Sequence, residues 1–156
     1  MLLQKLFRTI LALILVASLA ACATGTPFTE VVDPSNGNGV VYVYRPNRSY
    51  ASWGCPQFSI DGGAARSMQN GGFHRLELSQ GPHLLKSKES WCAVSPVERT
   101  FVLRKGETVF IRYNVLSDYQ PGFHRYGGPD NIYHGYEIVS REVALAQLKE
   151  LRASAE

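Results

Sequence analysis

The stretch VVYVYRP, residues 40–46, is the strongest strand signal in this chain of 156 residues. Its β-branched and aromatic residues favour a sheet, and Pro46 ends the run because proline has no N–H to donate. Outward from it, turn signals separate short strand-like segments at intervals of about ten residues: Asp61-Gly62, Asn70-Gly71-Gly72, Gly81-Pro82 and Lys105-Gly106. This spacing predicts a mainly β fold, an antiparallel β-sandwich with an immunoglobulin-like or transthyretin-like two-sheet architecture.

Three hairpins are predicted around these turns: 57–61 with 64–68, 73–78 with 83–89, and 97–104 with 107–116. In the last strand, Val109, Ile111, Tyr113 and Val115 occupy alternate positions. Because side chains of a strand alternate between its faces, one face should pack on the core and the other should be mostly solvated.

Residues 140–155 are predicted to form one C-terminal helix. Ser140 suits the N-cap, and Glu142 suits the positive end of the helix dipole. The apolar positions of this helix fall on one stripe: Ala144, Leu145, Leu148, Leu151 and Ala155. Such a stripe can bind a partner, but packing on the sandwich is the expected role.

The first 21 residues have the pattern of a secretory signal. Lys5 and Arg8 precede an apolar run, 9–21, that ends in small residues. A transmembrane helix needs about 20 apolar residues, so a permanent span is the weaker interpretation. Residues 19–22, Leu-Ala-Ala-Cys, resemble a bacterial lipobox, in which the cysteine is acylated and becomes the first residue of the mature protein.

Lipidation of Cys22, for example with palmitate, would hold the protein on a membrane, since stable attachment needs more than one acyl chain. The alternative is an ordinary signal peptide that leaves Cys22 as a free thiol. Ala23 stands where an Asp would favour the inner membrane, so the outer membrane, facing the periplasm, is expected. Residues 22–38, rich in Gly, Pro, Ser, Thr and Asn, are predicted to be a flexible tether with a reach of roughly 20–25 Å. Residues 39–156 then form the domain.

Two cysteines, Cys55 and Cys92, remain once Cys22 is assigned to lipid. In an oxidising compartment a disulfide between Cys55 and Cys92 is expected, closing a loop of 38 residues and adding roughly 4 kcal/mol by chain entropy. Two separate thiols, or redox or metal chemistry, are the alternatives. Residues 1–21 hold two of the 16 basic residues and none of the 13 acidic ones, so the formal charge falls from +3 to +1 on their removal. Nucleic acid is therefore not an expected partner.

Several motifs together resemble a family of bacterial lipoproteins, the one catalogued as domain of unknown function 2846. They are the Tyr-Val-Tyr-Arg-Pro strand, the Asp-Gly hairpin, the Asn-Gly-Gly turn, the Gly-x-His strand start at 81–83 and the Gly-Glu-Thr hairpin at 106–108. The resemblance covers about residues 38–116 and implies a small β-sandwich on a lipid anchor. It implies no reaction, and segment 117–135 departs from the family pattern.

The segment 117–136 is the most unusual part of the chain. It can be a binding loop for an envelope protein or a glycan, because aromatic rings with polar tips stack on sugars and dock partners. The alternative is a self-packed loop that covers a sheet edge. The candidate binding residues are Tyr119, Phe123, His124, Arg125, Tyr126, Tyr133 and His134.

A metal site formed by His124 and His134 with Asp118 or Asp130 is a weaker possibility, because the spacing matches no known site. His74 and His83 are expected on neighbouring strands about 13 Å apart, each half-buried and hydrogen-bonded. No nucleophile motif or paired carboxylates stand out, so neither catalytic residues nor cofactor nor metal are expected. The sequence favours a non-enzymatic accessory or binding module, and the alternative is a small envelope hydrolase or metal-dependent enzyme using the 117–136 loop.

Overall fold

The computed structural model describes residues 25–35, 37–48, 56–88, 96–125 and 132–154. Cys22, Cys55, Cys92 and Tyr126 lie outside these ranges, as does the predicted signal segment, so the predictions made for them stay predictions. Within the described ranges, no helix is long and apolar enough to cross a membrane.

The described residues form ten strands and one helix. In chain order these are β1 (Gly39–Tyr44), β2 (Gln57–Ile60), β3 (Arg66–Ser67), β4 (Gly72–Leu78), β5 (Gly81–Lys88), β6 (Glu98–Leu103), β7 (Thr108–Leu116), β8 (His124–Arg125), β9 (Tyr133–Val139), α1 (Arg141–Leu148) and β10 (Arg152–Ala153).

Two sheets pack face to face, with the helix on the outer face of the larger one. The larger sheet has the order β10-β4-β1-β7-β9-β8, and the smaller has the order β3-β2-β5-β6. One apolar cluster fills the space between the sheets, and a second lies between the larger sheet and α1. The predicted class, a mainly β two-sheet sandwich with a C-terminal helix, is confirmed.

Strand β1 lies at the centre of the larger sheet and is buried on both faces. Val41 and Val43 belong to the cluster between the sheets, whereas Tyr42 and Tyr44 belong to the cluster under the helix. A strand buried on both faces is a continuous apolar run in sequence, which is why residues 40–44 do not alternate. Its neighbours are β4, antiparallel, and β7, parallel, so this central pair departs from a wholly antiparallel sandwich.

Two of the three predicted hairpins are wrong. Strands β2 and β3 do pair, with Phe58 opposite Arg66, but β4 and β5 lie in different sheets, as do β6 and β7. The reason is that β1 needs a hydrogen-bonding neighbour on each side, and it takes β4 and β7. Strand β5 pairs instead with β2 and β6.

The outer face of β7 is covered rather than mostly solvated. Phe110 is buried there, and its ring stacks on Tyr42 with centroids 5.5 Å apart. The cover is α1 together with the segment that precedes β1. Ala144 and Leu148 of the helix are fully buried in the same cluster.

Residues 25–35, predicted as part of a flexible tether, are docked on the domain. Gly25 N–H donates to Ala153 O (3.2 Å), and Phe28 N–H donates to Leu151 O (3.0 Å). The Phe28 ring is buried edge-on against Tyr42 and Phe73, with centroids 6.0 and 5.6 Å away. The tether prediction is therefore wrong for this stretch, because its one large apolar residue has a pocket to fill.

The helix is shorter than predicted. Ser140 caps it, accepting a hydrogen bond from Val143 N–H, but it ends at Leu148 rather than near 155. The following backbone joins the sheet edge instead: Arg152 N–H donates to Gly71 O and Ala153 N–H donates to Thr26 O. These sheet hydrogen bonds replace nearly the last two turns of the predicted helix.

Truncating the docked phenylalanine tests whether the N-terminal segment belongs to the fold. We expect Phe28→Ala to lower the free energy of unfolding by about 3 kcal/mol, because a buried ring is lost and leaves a cavity. Urea denaturation followed by circular dichroism measures this. Val32→Ala, in the same segment but 52% exposed, is the matched control and should change stability little. Equal, small effects of both variants would show that the segment does not stabilise the domain.

Candidate functional site

Residues 117–125, the first part of the segment 117–136, fold back on β9 and cover its edge. Strand β8 pairs with β9, placing His124 opposite His134. A Cβ at Gly135 would lie 3.0 Å from the Phe123 ring, so the loop packs closely on the strand. Tyr119 meets Tyr133 in a T-shaped contact with centroids 5.5 Å apart. The described part of this segment is thus the self-packed, edge-covering loop that was the alternative to a binding loop.

The predicted binding residues do not form one surface. His124 and Arg125 are exposed and Tyr119 is 66% exposed, whereas Phe123 and Tyr133 are half-buried by the contacts above. His134 is fully buried. The exposed aromatic area among the described loop residues is therefore essentially that of Tyr119.

His134 is a core residue rather than a surface ligand. Its Nδ1 lies 3.1 Å from Tyr113 Oη, within hydrogen-bond distance. Tyr113 also contacts the ring of Tyr136, 5.4 Å between centroids. Tyr136 Oη is buried and has no hydrogen-bond partner among the described residues, and burial raises its pKa well above the ordinary value of 10.0.

Burial makes His134 a neutral imidazole. Burial, and to a smaller extent the electrostatic effect of His124, lower the pKa of this side chain from 6.5 to about 4. A histidine that is neutral above pH 5 and enclosed by the core cannot pick up a proton from solvent at neutral pH. The side chain thus serves as a hydrogen-bonding element of the core.

A buried arginine extends this polar region. Arg45 Nη1 donates to Met68 O (3.2 Å), and its guanidinium lies 5.9 Å from the centre of the Tyr113 ring. Arg45 ends the VVYVYR stretch, and no pattern in the sequence predicts that this charged side chain is only 3% exposed. A cation over an aromatic face is stabilised by the ring quadrupole, more so when water is excluded.

A second polar cluster joins two turns at the opposite end of the sandwich. His83 Nδ1 lies 2.6 Å from Asp61 Oδ2, and its Nε2 lies 2.8 Å from Ser79 O. Leu84 N–H donates to Asp61 Oδ1 (2.8 Å). Both oxygens that face the imidazole can only accept, so both ring nitrogens donate and the protonated form of His83 is favoured.

The electrostatics of this pair agree with its geometry. The Leu84 N–H and then His83 hold the pKa of Asp61 below its ordinary 3.8. Burial alone would lower the pKa of His83, but the hydrogen bonds to Asp61 and Ser79, with the charge of Asp61, outweigh it and raise the pKa above 6.5.

The histidines of β4 and β5 are hydrogen-bonded as predicted, but not on paired strands. His74 Nε2 donates to Ser67 O (2.7 Å), and its ring packs edge-on against Phe58. Because β4 and β5 belong to different sheets, the predicted rung-by-rung separation of His74 and His83 does not apply.

The described residues hold no group of three or more His, Cys, Asp or Glu side chains that could bind a metal ion. Asp118 accepts a hydrogen bond from its neighbour Ser117 (3.4 Å) instead of turning to a histidine. Asp130, the other acid considered with His124 and His134, lies outside the described residues.

A small apolar crevice, missed in the sequence, opens between the edges of the two sheets. It has a volume of about 140 Å³ and lies where β4 leaves the cover of β10. The crevice is open to solvent on one side, and most of its lining side chains are aliphatic or aromatic. Its lining residues are Phe58, Ile60, Gly63, Ala64, Arg66, Leu76 and Leu78. Each strand alone shows only ordinary alternation, so no local signal marks the crevice.

Comparisons with known proteins found no match: no family model fits the chain, and no curated protein resembles it.

The Asp61–His83 pair should contribute stability only in a defined pH window. His83, with its raised pKa, contributes fully below pH 6.5 and loses its contribution as the pH rises through its folded value. Asp61, with its lowered pKa, contributes above 3.8 and loses its contribution as the pH falls through its folded value. A double-mutant cycle of Asp61→Asn and His83→Gln should give a coupling of about 0.5–1 kcal/mol at pH 5, since Asp61 is half exposed, and much less at pH 9.

Urea unfolding across this pH range measures the cycle. The exposed pair Lys86–Glu98, with N and O 2.6 Å apart, is the control, because it is an ion pair of the same size that contains no histidine. A coupling between residues 61 and 83 that is the same at both pH values would contradict the protonated-histidine assignment.

His134 should titrate far below an ordinary histidine. Its ring proton shifts in NMR spectra should stay constant from pH 8 to 5 and move with an apparent pKa of about 4. Since the unfolded chain binds this proton near pH 6.5, His134 destabilises the fold progressively as the pH falls from 6.5 to 4. His134→Gln should reduce that acid sensitivity. A mid-point near 6.5 would show that the side chain is solvated.

Proposed function

We propose that this chain is a lipid-anchored lipoprotein of a bacterial envelope, held through Cys22 on the outer membrane and facing the periplasm. The supporting observation is the N-terminal order of segments: a signal-like run, the Leu-Ala-Ala-Cys motif and then, from Gly25, a chain docked on a folded domain. An acylated cysteine ahead of a folded domain holds that domain on a membrane without a transmembrane helix.

The anchored domain is proposed as a non-enzymatic accessory or binding module for an envelope protein or a glycan. Each histidine with a defined environment is engaged in the fold: His74 with Ser67, His83 with Asp61 and Ser79, and His134 with Tyr113. No described group of acids and histidines converges as a hydrolase or metal enzyme using the 117–136 loop would need. The same residues therefore favour binding over catalysis.

A Cys55–Cys92 disulfide is also proposed. Gln57 and Lys88 are direct partners of adjacent antiparallel strands. Cys55 precedes Gln57 by two residues and Cys92 follows Lys88 by four. Two short segments that start from the same rung of neighbouring strands can bring their cysteines within the roughly 7 Å between Cα atoms that a disulfide requires.

Metabolic labelling with palmitate tests the anchor. Wild type should carry label and fractionate with membranes, and Cys22→Ser should lose both, because acylation and membrane retention depend on that sulfur. Cys55→Ser is the matched control: it removes a cysteine of the same chain and should keep the label. Equal labelling of wild type and Cys22→Ser would refute the lipoprotein proposal.

Chemical crosslinking of the anchored wild type, followed by purification and mass spectrometry, tests the binding role, with Cys22→Ser as the mislocalised control. A partner recovered with wild type alone would support it. Recovery of no partner, together with an empty glycan-binding screen, would refute it.

A further inference from the structure

The docked N-terminal segment leaves very little free chain between the domain and the proposed anchor. Gly25 is already hydrogen-bonded to Ala153, and it is three residues from Cys22. Three residues span at most about 10 Å. The predicted tether of 17 residues would let the domain lie well away from the membrane, but so short a linker does not. One part of the domain surface must therefore lie against the bilayer.

The chain direction tells which part of the surface that is. Residues 25–28 run antiparallel to β10 at the outer edge of the larger sheet, and β10 runs parallel to β4. Traced backward from Phe28 to Gly25, the chain therefore runs in the same direction as β4. It passes from the level of Gly72 to beyond the level of Phe73. It leaves the described fold while heading toward the rungs of Leu76 and Leu78.

The apolar crevice opens on this same edge, between β4 and the β2–β3 hairpin. Leu76 is three rungs beyond Phe73, and Gly25 is two strand positions outside β4. At about 3.3 Å per rung and 4.8 Å per strand, Gly25 lies roughly 14 Å from the rung of Leu76. The three residues that join Gly25 to Cys22 can span most of that distance, so the crevice is within reach of the proposed acyl anchor.

The chemistry of the edge suits a membrane interface. Leu76 and Leu78 are partly buried apolar residues that border the opening, and Ala64 is exposed at its rim. Arg66 lines the crevice, and Arg152 lies at the sheet edge with its Nη1 3.3 Å from Gly25 O. Long cationic side chains beside an apolar surface place their charge at the level of lipid headgroups.

We propose that the β3–β4 edge of the sandwich is the membrane-facing surface of the anchored protein, and that the crevice receives the acyl chains of bilayer phospholipids. This inference rests on the proposed lipidation of Cys22. It adds an orientation: the outer face of the smaller sheet, with Val102 62% exposed, and the end of the sandwich with the 117–125 loop remain accessible from the periplasm.

Site-specific photocrosslinking tests the orientation. A benzophenone amino acid replaces Ala64, at the crevice, or Val102, on the outer face of the smaller sheet, which serves as the matched control because both positions are exposed. The full-length lipidated protein is reconstituted into vesicles of phosphatidylethanolamine and phosphatidylglycerol with tritiated acyl chains. We expect at least about fivefold more tritium crosslinked at position 64 than at 102, since only the former meets hydrocarbon.

Three other outcomes overturn the proposal in distinguishable ways. Equal or absent crosslinking at both positions, in protein that carries palmitate, refutes the orientation and leaves the anchor intact. Protein without palmitate refutes the anchor and the orientation together. A crosslink at position 64 that carries no tritium, and that mass spectrometry assigns to the protein's own acyl chains, refutes the bilayer contact, because the crevice would then hold the anchor.

A longer linker between Cys22 and the domain tests the cause of the orientation. Insertion of a 20-residue Gly/Ser segment between Thr24 and Gly25 keeps the docked segment and adds about 25 Å of reach. Crosslinking at position 64 should then fall to the level at 102. Unchanged crosslinking at position 64 would refute the claim that the short linker holds this edge against the membrane.

Discussion

The burial of β1 on both faces is the constraint on which the rest of the structure depends. Its inner side chains help to fill the space between the sheets, and its outer tyrosines require a cover of their own. A two-layer sandwich would leave Tyr42 and Tyr44 in solvent at a cost of roughly 1.5–3 kcal/mol for each large side chain. The helix and the N-terminal segment supply this cover, and Tyr44 Oη gains a hydrogen bond to Gln147 Oε1 (2.7 Å).

That cover changes the position of the domain relative to the proposed anchor. Phe28 and the backbone around it complete the outer cluster, so the segment that looks like a linker in composition becomes part of the fold. Tyr42 Oη accepts a hydrogen bond from Val32 N–H, and Glu77 accepts two from Ser35. The same contacts that cover β1 leave few residues between the domain and the proposed anchor, and the proposed orientation depends on this.

Buried Arg45 and His83 each have partners within the fold. Arg45 and Tyr113 pair at one end of the sandwich and Asp61 and His83 at the other, and each contact links elements that are distant in sequence. Burying such groups is costly unless they are hydrogen-bonded, and once satisfied they favour one arrangement of the strands.

The sequence by itself determined the secondary-structure content, because β-branched runs and glycine turns act locally: the strands around residues 40–44 and 108–116, the Asp61-Gly62 turn and the Ser140 cap are all where the patterns predict them. It also carries the Leu-Ala-Ala-Cys motif on which the proposed anchor depends. Only the tertiary structure decided which strands pair, that Phe28 docks, that Arg45 and His134 are buried, and that Leu76 and Leu78 border an open edge. The reason is that each of these outcomes follows from the competition of distant segments for the two faces and two edges of β1, and no window of adjacent residues contains that competition.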